Sequence, residues 1–268
     1  MKMITLDTAF SPCPNDTFIF HAMLAGYIDN GRFRFIPHLD DVEALNSKAF
    51  DKTFPLSKLS FYAFLKLKNH YEILDSGAAL GYGCGPLLVG RNDRVPDPGT
   101  KIAIPGNLTT ANLLLKLWHP EFTNIEITRF DNILEGVRSG RYDAGLIIHE
   151  GRFVYPRYGL KKIVDLGEWW EKETGLPIPL GCIAIRKDSP FIGYKQEVES
   201  ILKKSVTYAL NNRAASRAFI KAHAQELEDK VIDGHIDLYV NSFTISLGET
   251  GNRAVRKLEE LAGAKRLL

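Results

Sequence analysis

The residues Ala144-Gly145-Leu146-Ile147-Ile148 form an unbroken apolar run that stops at His149-Glu150. The run is too short for a typical helix, and the β-branched pair Ile147-Ile148 favours an extended chain. Without polar alternation, an extended run fits a strand covered on both faces, as in sheets flanked by helices. An α/β protein is therefore expected. His149 should then stand at the carboxyl end of a strand, where open α/β sheets gather their ligands. Two readings of His149 stay open at this point: a group that carries chemistry, or a strand-end imidazole bonded to a neighbouring loop.

The remainder of the chain alternates strand-like and helix-like stretches. Strands are expected near 3–6, 32–38, 71–74, 85–89, 101–104, 125–129, 163–166 and 177–185, and helices near 17–25, 42–49, 112–118, 131–139 and 168–173. From Phe191 onward the pattern is mainly helical, with Val198, Ile201, Leu202, Ser205 and Val206 at core-facing spacing. Asn92-Asp93-Arg94-Val95-Pro96-Asp97-Pro98-Gly99 is polar and broken by prolines and a glycine, so it reads as a linker, with Arg186-Lys187-Asp188-Ser189-Pro190 as the return crossing. The expected organisation is two-lobed: a larger discontinuous α/β lobe of residues 1–95 and 188–268, and a smaller inserted α/β lobe of 96–187. A cleft between such lobes commonly holds a small ligand.

Charge narrows the choice of partner. With 34 basic against 32 acidic residues the formal net charge is +2, which gives no reason to expect a nucleic acid or a membrane surface. No run has the length of a membrane span and the N-terminal stretch lacks the pattern of a secretion signal, so a cytoplasmic protein with a small-molecule substrate is expected. Cys13, Cys84 and Cys182 are odd in number and without zinc-like pairing, and the seven histidines are scattered. Reduced thiols, no metal and no organic cofactor are therefore expected. Oligomeric state is not legible. The glycines at 81, 83 and 85 do not fit a dinucleotide-binding fingerprint.

Three further stretches are candidates for one wall of a pocket. Ser11-Pro12-Cys13-Pro14-Asn15-Asp16 is a stiffened loop before a helix, in which Asn15 and Asp16 can cap free amides or face a ligand. Ser57, Lys58 and Ser60 can present two hydroxyls and a cation at a helix start. Pro105-Gly106-Asn107-Leu108-Thr109-Thr110-Ala111 joins a strand to a helix, where threonine hydroxyls and free amides either cap the helix or hold an oxyanion.

Taken together, these motifs resemble the 1,4-dihydroxy-6-naphthoate synthase family of menaquinone biosynthesis by the futalosine route. The resemblance lies in Ser11-Pro12-Cys13-Pro14-Asn15-Asp16-Thr17-Phe18, Ser57-Lys58-Leu59-Ser60-Phe61, Gly81-Tyr82-Gly83-Cys84-Gly85-Pro86, Ile104-Pro105-Gly106 with Thr109-Thr110-Ala111, Asp143-Ala144-Gly145 with His149-Glu150-Gly151-Arg152-Phe153, and Pro177-Ile178-Pro179-Leu180-Gly181. These cover nearly the whole chain in order. The resemblance implies a two-lobed fold similar to type II periplasmic binding proteins. It also implies a lyase that cleaves cyclic dehypoxanthine futalosine to 1,4-dihydroxy-6-naphthoate, with His149 as catalytic base. Ser57, Lys58, Ser60, Thr110 and Ala111 are implied as ligand contacts, with Asn15 and Thr109 beside them. The alternatives are the chorismate dehydratase of the same route, or a non-catalytic binding protein of the same fold. The His-Glu-Gly-Arg-Phe run argues against the first.

Overall fold

The computed structural model describes residues 2–268. Eleven strands are divided between two sheets, with helices packed around both. The first sheet holds β1 (Ile4–Phe10), β2 (Phe33–Leu39), β3 (Leu56–Ser60), β4 (Tyr71–Ile73), β5 (Ala79–Gly81) and β11 (Ile178–Arg186). Its order is β2-β1-β3-β11-β4, with β5 also paired to β11. The second sheet, ordered β10-β6-β9-β7-β8, holds β6 (Leu87–Gly90), β7 (Ile102–Ile104), β8 (Ile125–Ile127), β9 (Ala144–Ile147) and β10 (Lys161–Asp165).

The two lobes expected from the linkers are therefore present, but the chain changes sheet earlier than expected at both crossings. β6 already pairs with β9 and β10 in the second sheet, and β11 already lies between β3 and β4 in the first. The boundaries expected at 95/96 and 187/188 accordingly move to the segments 82–86 and 175–177. The proline-rich 91–99 stretch is an exposed loop joining β6 to β7 inside the second lobe. Local composition reveals where the chain turns, whereas sheet membership depends on pairing with distant strands.

The helices are α1 (Pro14–Leu24), α2 (Val42–Phe50), α3 (Phe61–Leu67), α4 (Thr110–Trp118), α5 (Ile133–Arg138), α6 (Gly151–Val154), α7 (Leu166–Thr174), α8 (Lys195–Asn211), α9 (Arg217–Lys221), α10 (Asp229–Tyr239), α11 (Ser242–Ile245) and α12 (Gly248–Ala264). Pro14 opens α1, where its missing N–H costs no helical hydrogen bond. This helix is buried from Pro14 to Met23 because α8, α9 and α10 surround it. Its solvent-free position explains why it has apolar residues on every side. The expected core positions Val198, Ile201, Leu202, Ser205 and Val206 are all buried. Ser205 satisfies its hydroxyl by donating to the Ile19 carbonyl at 2.6 Å.

One apolar cluster spans both lobes. It joins Leu59 and Phe61 of the first to Ile102, Leu113, Leu146 and Trp170 of the second. Helix α12 packs on both β11 and α4, so the C-terminal segment braces the lobes against each other. No helix among the described residues is long and apolar enough to cross a membrane.

Candidate active site

Four parallel-oriented strands direct their carboxyl ends at one cavity between the lobes. β1 and β3 run parallel in the first sheet, and β7 and β9 run parallel in the second. β1 leads into Ser11–Asp16, β3 ends at Ser60, β7 leads into 105–109, and β9 ends two residues before His149. The cavity is lined by the end of β3 and by the segments that follow β1, β7 and β9, together with Leu180 and Gly181 of β11 and His235 and Tyr239 of α10.

His149 has a backbone φ of +54°, in the left-handed region. This conformation is uncommon outside glycine and turns the chain sharply between β9 and α6. The imidazole lies deep among protein atoms but keeps part of its surface on the cavity. Burial lowers its pKa to about 4, with Asp16 opposing the shift and Lys58 adding to it. The ring is neutral near pH 7 and free to accept a proton. Cys13 Sγ sits 3.2 Å from its Nδ1, and the Phe130 ring lies edge-on at 5.3 Å. With Nδ1 occupied by the thiol, Nε2 is the nitrogen left for a ligand.

A buried polar chain forms another part of the wall. Lys58 Nζ donates to Asp16 Oδ1 at 2.7 Å, and Asn15 Nδ2 donates to the same oxygen at 2.8 Å. Ser11 Oγ donates to Asp16 Oδ2 at 2.6 Å. The amide of Asn15 is thereby oriented with its oxygen towards His235 Nε2, 2.9 Å away. His235 must donate there, which fixes its proton on Nε2 and leaves Nδ1 as an acceptor. That Nδ1 is buried without a partner among the described residues. Burial, reinforced by repulsion from His149 and Lys58, holds His235 well below its ordinary pKa, so it too is neutral.

The expected ligand contacts fall into three groups. Asn15, Lys58, Ser60, Thr109, Thr110, Ala111 and His149 all line the cavity. Ser57 does not: its hydroxyl turns back to the Lys58 carbonyl at 3.1 Å. The alternation of β3 explains this, since Ser57 and Lys58 point to opposite faces of the strand. Among the lining groups, Lys58 and Asn15 already serve Asp16, and Thr110 Oγ1 donates to the Leu180 carbonyl at 2.7 Å. Thr109 caps α4, accepting from Asn112 N at 3.2 Å while donating to the Gly106 carbonyl. Ser60 Oγ instead accepts from Asn46 Nδ2 at 3.0 Å, so its own proton is available to the cavity.

Arg152, Cys182 and Glu150 do not line the cavity. Arg152 binds the Gly85 carbonyl at 2.6 Å and the Asp165 carboxylate, bracing the second lobe. Cys182 is fully buried in β11 and is not part of the cavity wall, whereas Cys84 is. Glu150 is buried, and desolvation raises its pKa to about 7. The sequence offers Asp16 as a cap or a ligand-facing group but gives no sign of His235 and Tyr239, because nothing local marks residues that α10 brings back to the first loop. The polar pair Asn15-Asp16 inside an otherwise apolar helix start was the one available signal.

A family model described as menaquinone biosynthesis matches residues 6–264. The chain is 46% identical over 265 residues to a 1,4-dihydroxy-6-naphtoate synthase of Thermus thermophilus, covering 99% of this chain and 96% of that one. It is 39% identical over 277 residues to the enzyme of the same name from Streptomyces coelicolor, covering 100% and 96%. A solved structure from Archaeoglobus fulgidus superposes with a TM-score of 0.93 at 35% identity, covering 98% of each chain. The alkanesulfonate-binding protein of Xanthomonas axonopodis shares only 15% identity but reaches a TM-score of 0.70 over 100% of this chain and 95% of that one. The fold is thus the two-lobed one of periplasmic binding proteins, and the chain belongs to the menaquinone-biosynthesis family that includes the 1,4-dihydroxy-6-naphtoate synthases.

Proposed function

We propose that this protein is a carbon–carbon lyase that converts cyclic dehypoxanthine futalosine to 1,4-dihydroxy-6-naphthoate, with His149 as the general base. The observation that carries this reading is a neutral imidazole just beyond the end of β9, with Nδ1 against Cys13, lining the same cavity as the Ser60 hydroxyl. In a retro-aldol step the base takes a hydroxyl proton, that carbon becomes a carbonyl, and the neighbouring carbon–carbon bond breaks. The electron pair passes into the ring system that becomes aromatic, and the imidazolium returns its proton. Aromaticity of the product supplies driving force without a metal or an organic cofactor.

Ser60 donates to a substrate oxygen, and the free amides at the start of α4, near Thr110 and Ala111, receive the carboxylate. Lys58 contributes positive potential from within its pair with Asp16. The mostly apolar remainder of the cavity wall accommodates the aromatic rings and excludes water.

Purified protein incubated with cyclic dehypoxanthine futalosine and followed by mass spectrometry tests the reading, with His149→Asn in parallel. Asparagine is the better replacement because it tolerates the left-handed backbone. Naphthoate from the parent and none from the variant is the expected result. Equal turnover by both retains the reaction and removes His149 as base. Binding without turnover would support the passive solute-binding role that the shared fold also permits.

A further inference from the structure

Behind the catalytic imidazole, on the side away from the cavity, three potential metal ligands of different kinds converge. Cys13 Sγ, an imidazole nitrogen of His149 and a Glu150 carboxylate oxygen all lie within 4.8 Å of one another, and the thiol stands 3.2 Å from His149 Nδ1. Neither Cys13 nor Glu150 lines the cavity: the thiol only holds the imidazole at Nδ1, and the substrate reading gives Glu150 no task. Glu150 is only 4% exposed, and its Oε2 has no hydrogen-bond partner among the described residues. A buried carboxylate oxygen left without a donor is costly, and a cation is one of the few groups that can satisfy it.

We propose that Cys13, His149 and Glu150 form an inhibitory binding site for a zinc ion. A thiolate, an imidazole nitrogen and a carboxylate oxygen form a donor set suited to zinc, and bond lengths of roughly 2.0–2.3 Å are reached by small side-chain rotations that open the thiol–imidazole pair slightly and draw the carboxylate in. Thiolate and carboxylate together balance the charge of the ion. Lys58, the cation facing this group from β3, is already paired with Asp16. Coordination at Nδ1 leaves the remaining ring proton on Nε2, so the imidazole ceases to be a base on the cavity side. The inhibitory consequence rests on His149 being the base, whereas the site does not.

The positions 13, 149 and 150 contain no short-spaced ligand motif, so the site is invisible in the sequence and is created by packing the β1–α1 loop against the β9–α6 turn. Metal binding and catalysis are mutually exclusive on this arrangement, which makes the protein sensitive to free zinc and indifferent to its removal.

Cobalt(II) replaces zinc as a spectroscopic probe. Titration of the metal-free protein is expected to give one equivalent of bound cobalt with a thiolate-to-metal charge-transfer band, displaced by one equivalent of zinc. Cys13→Ser should abolish the band, and Glu150→Gln should weaken binding at least tenfold; circular dichroism of both checks that they fold. Zinc should also suppress turnover of the parent, with recovery on adding a chelator. Absence of the band in the parent, or an unchanged band in Cys13→Ser, overturns the site. A bound ion that leaves turnover intact removes the inhibitory role, and the spectra separate that outcome from failure of the proposed reaction.

Discussion

Lys58 Nζ lies 2.7 Å from Asp16 Oδ1, with both side chains at most 6% exposed, and this pair ties the loop after β1 to β3 at the cavity wall. The lysine's charge is held by a protein carboxylate before any substrate arrives. Removing one member leaves the other buried and unpaired, at a cost of about 3–5 kcal/mol, while replacing both by neutral groups costs far less. Lys58→Met is therefore expected to lower stability strongly in a urea titration, and the double variant Lys58→Met/Asp16→Asn to recover most of it. A Lys58→Met variant as stable as the parent would show that the pair makes no net contribution to stability.

If His149 is the base, as proposed, its depressed pKa sets the acid limb of the activity. Its burial places the folded-state value near 4, against 6.5 for a free imidazole. kcat/KM is expected to stay level as pH falls through 6.5 and to drop only as pH approaches 4. Stability follows the same group with a definite sign. The unfolded chain binds this proton from about 6.5 downward and the folded chain only near 4, so the His149 contribution to stability falls between those values. An activity profile with an acid limb at 6.5 would mean that the imidazole is solvated in the working enzyme.

Glu43 at the start of α2 reaches across the cleft: both its oxygens stand 3.1 Å from the Leu108 amide of the second lobe. A Cβ at Gly106 would fall 2.3 Å from the Glu43 carboxyl carbon. A side chain at 106 would therefore push the Glu43 carboxylate out of its present place against Leu108. Glu43→Ala is expected to raise KM about tenfold with a smaller effect on kcat, since a hydrogen bond to a charged group contributes about 1.5–3 kcal/mol to the closed form. Gly106→Ala should do the same by collision, and small-angle scattering should report a more open average shape for both.

Gly85 and Gly167 approach so closely that a Cβ on Gly85 would lie 2.2 Å from the Gly167 nitrogen. Backbone faces backbone here, so no side chain can swing aside. Asp165 fixes the contact by accepting from Gly167 N at 2.8 Å, and Arg152 clamps Asp165 to the Gly85 carbonyl. Gly85→Ala is expected to destabilise by about 3 kcal/mol or more, read as a lower Tm together with loss of soluble yield. A near-normal Tm would require the β5–β6 crossing to move as a unit.

The sequence by itself determined the local elements and the groups they carry. The apolar run Ala144–Ile148 reads as a doubly covered strand, and β9 with His149 just beyond its end is what it becomes. Thr109 reads as a cap or ligand contact, and it is a cap on the cavity wall. These features depend on neighbours within a few residues, where sterics and backbone hydrogen bonding act directly. Only the tertiary structure decided that β6 and β11 belong to the sheets opposite those expected, that Ser57 faces away, and that Lys58 is engaged by Asp16. It alone brought His235 to Asn15 across 220 residues, and Cys13 to His149 across 136. Such pairings are selected by burial and by the need to satisfy polar groups in the assembled interior, and no local pattern records which distant partner will meet that need.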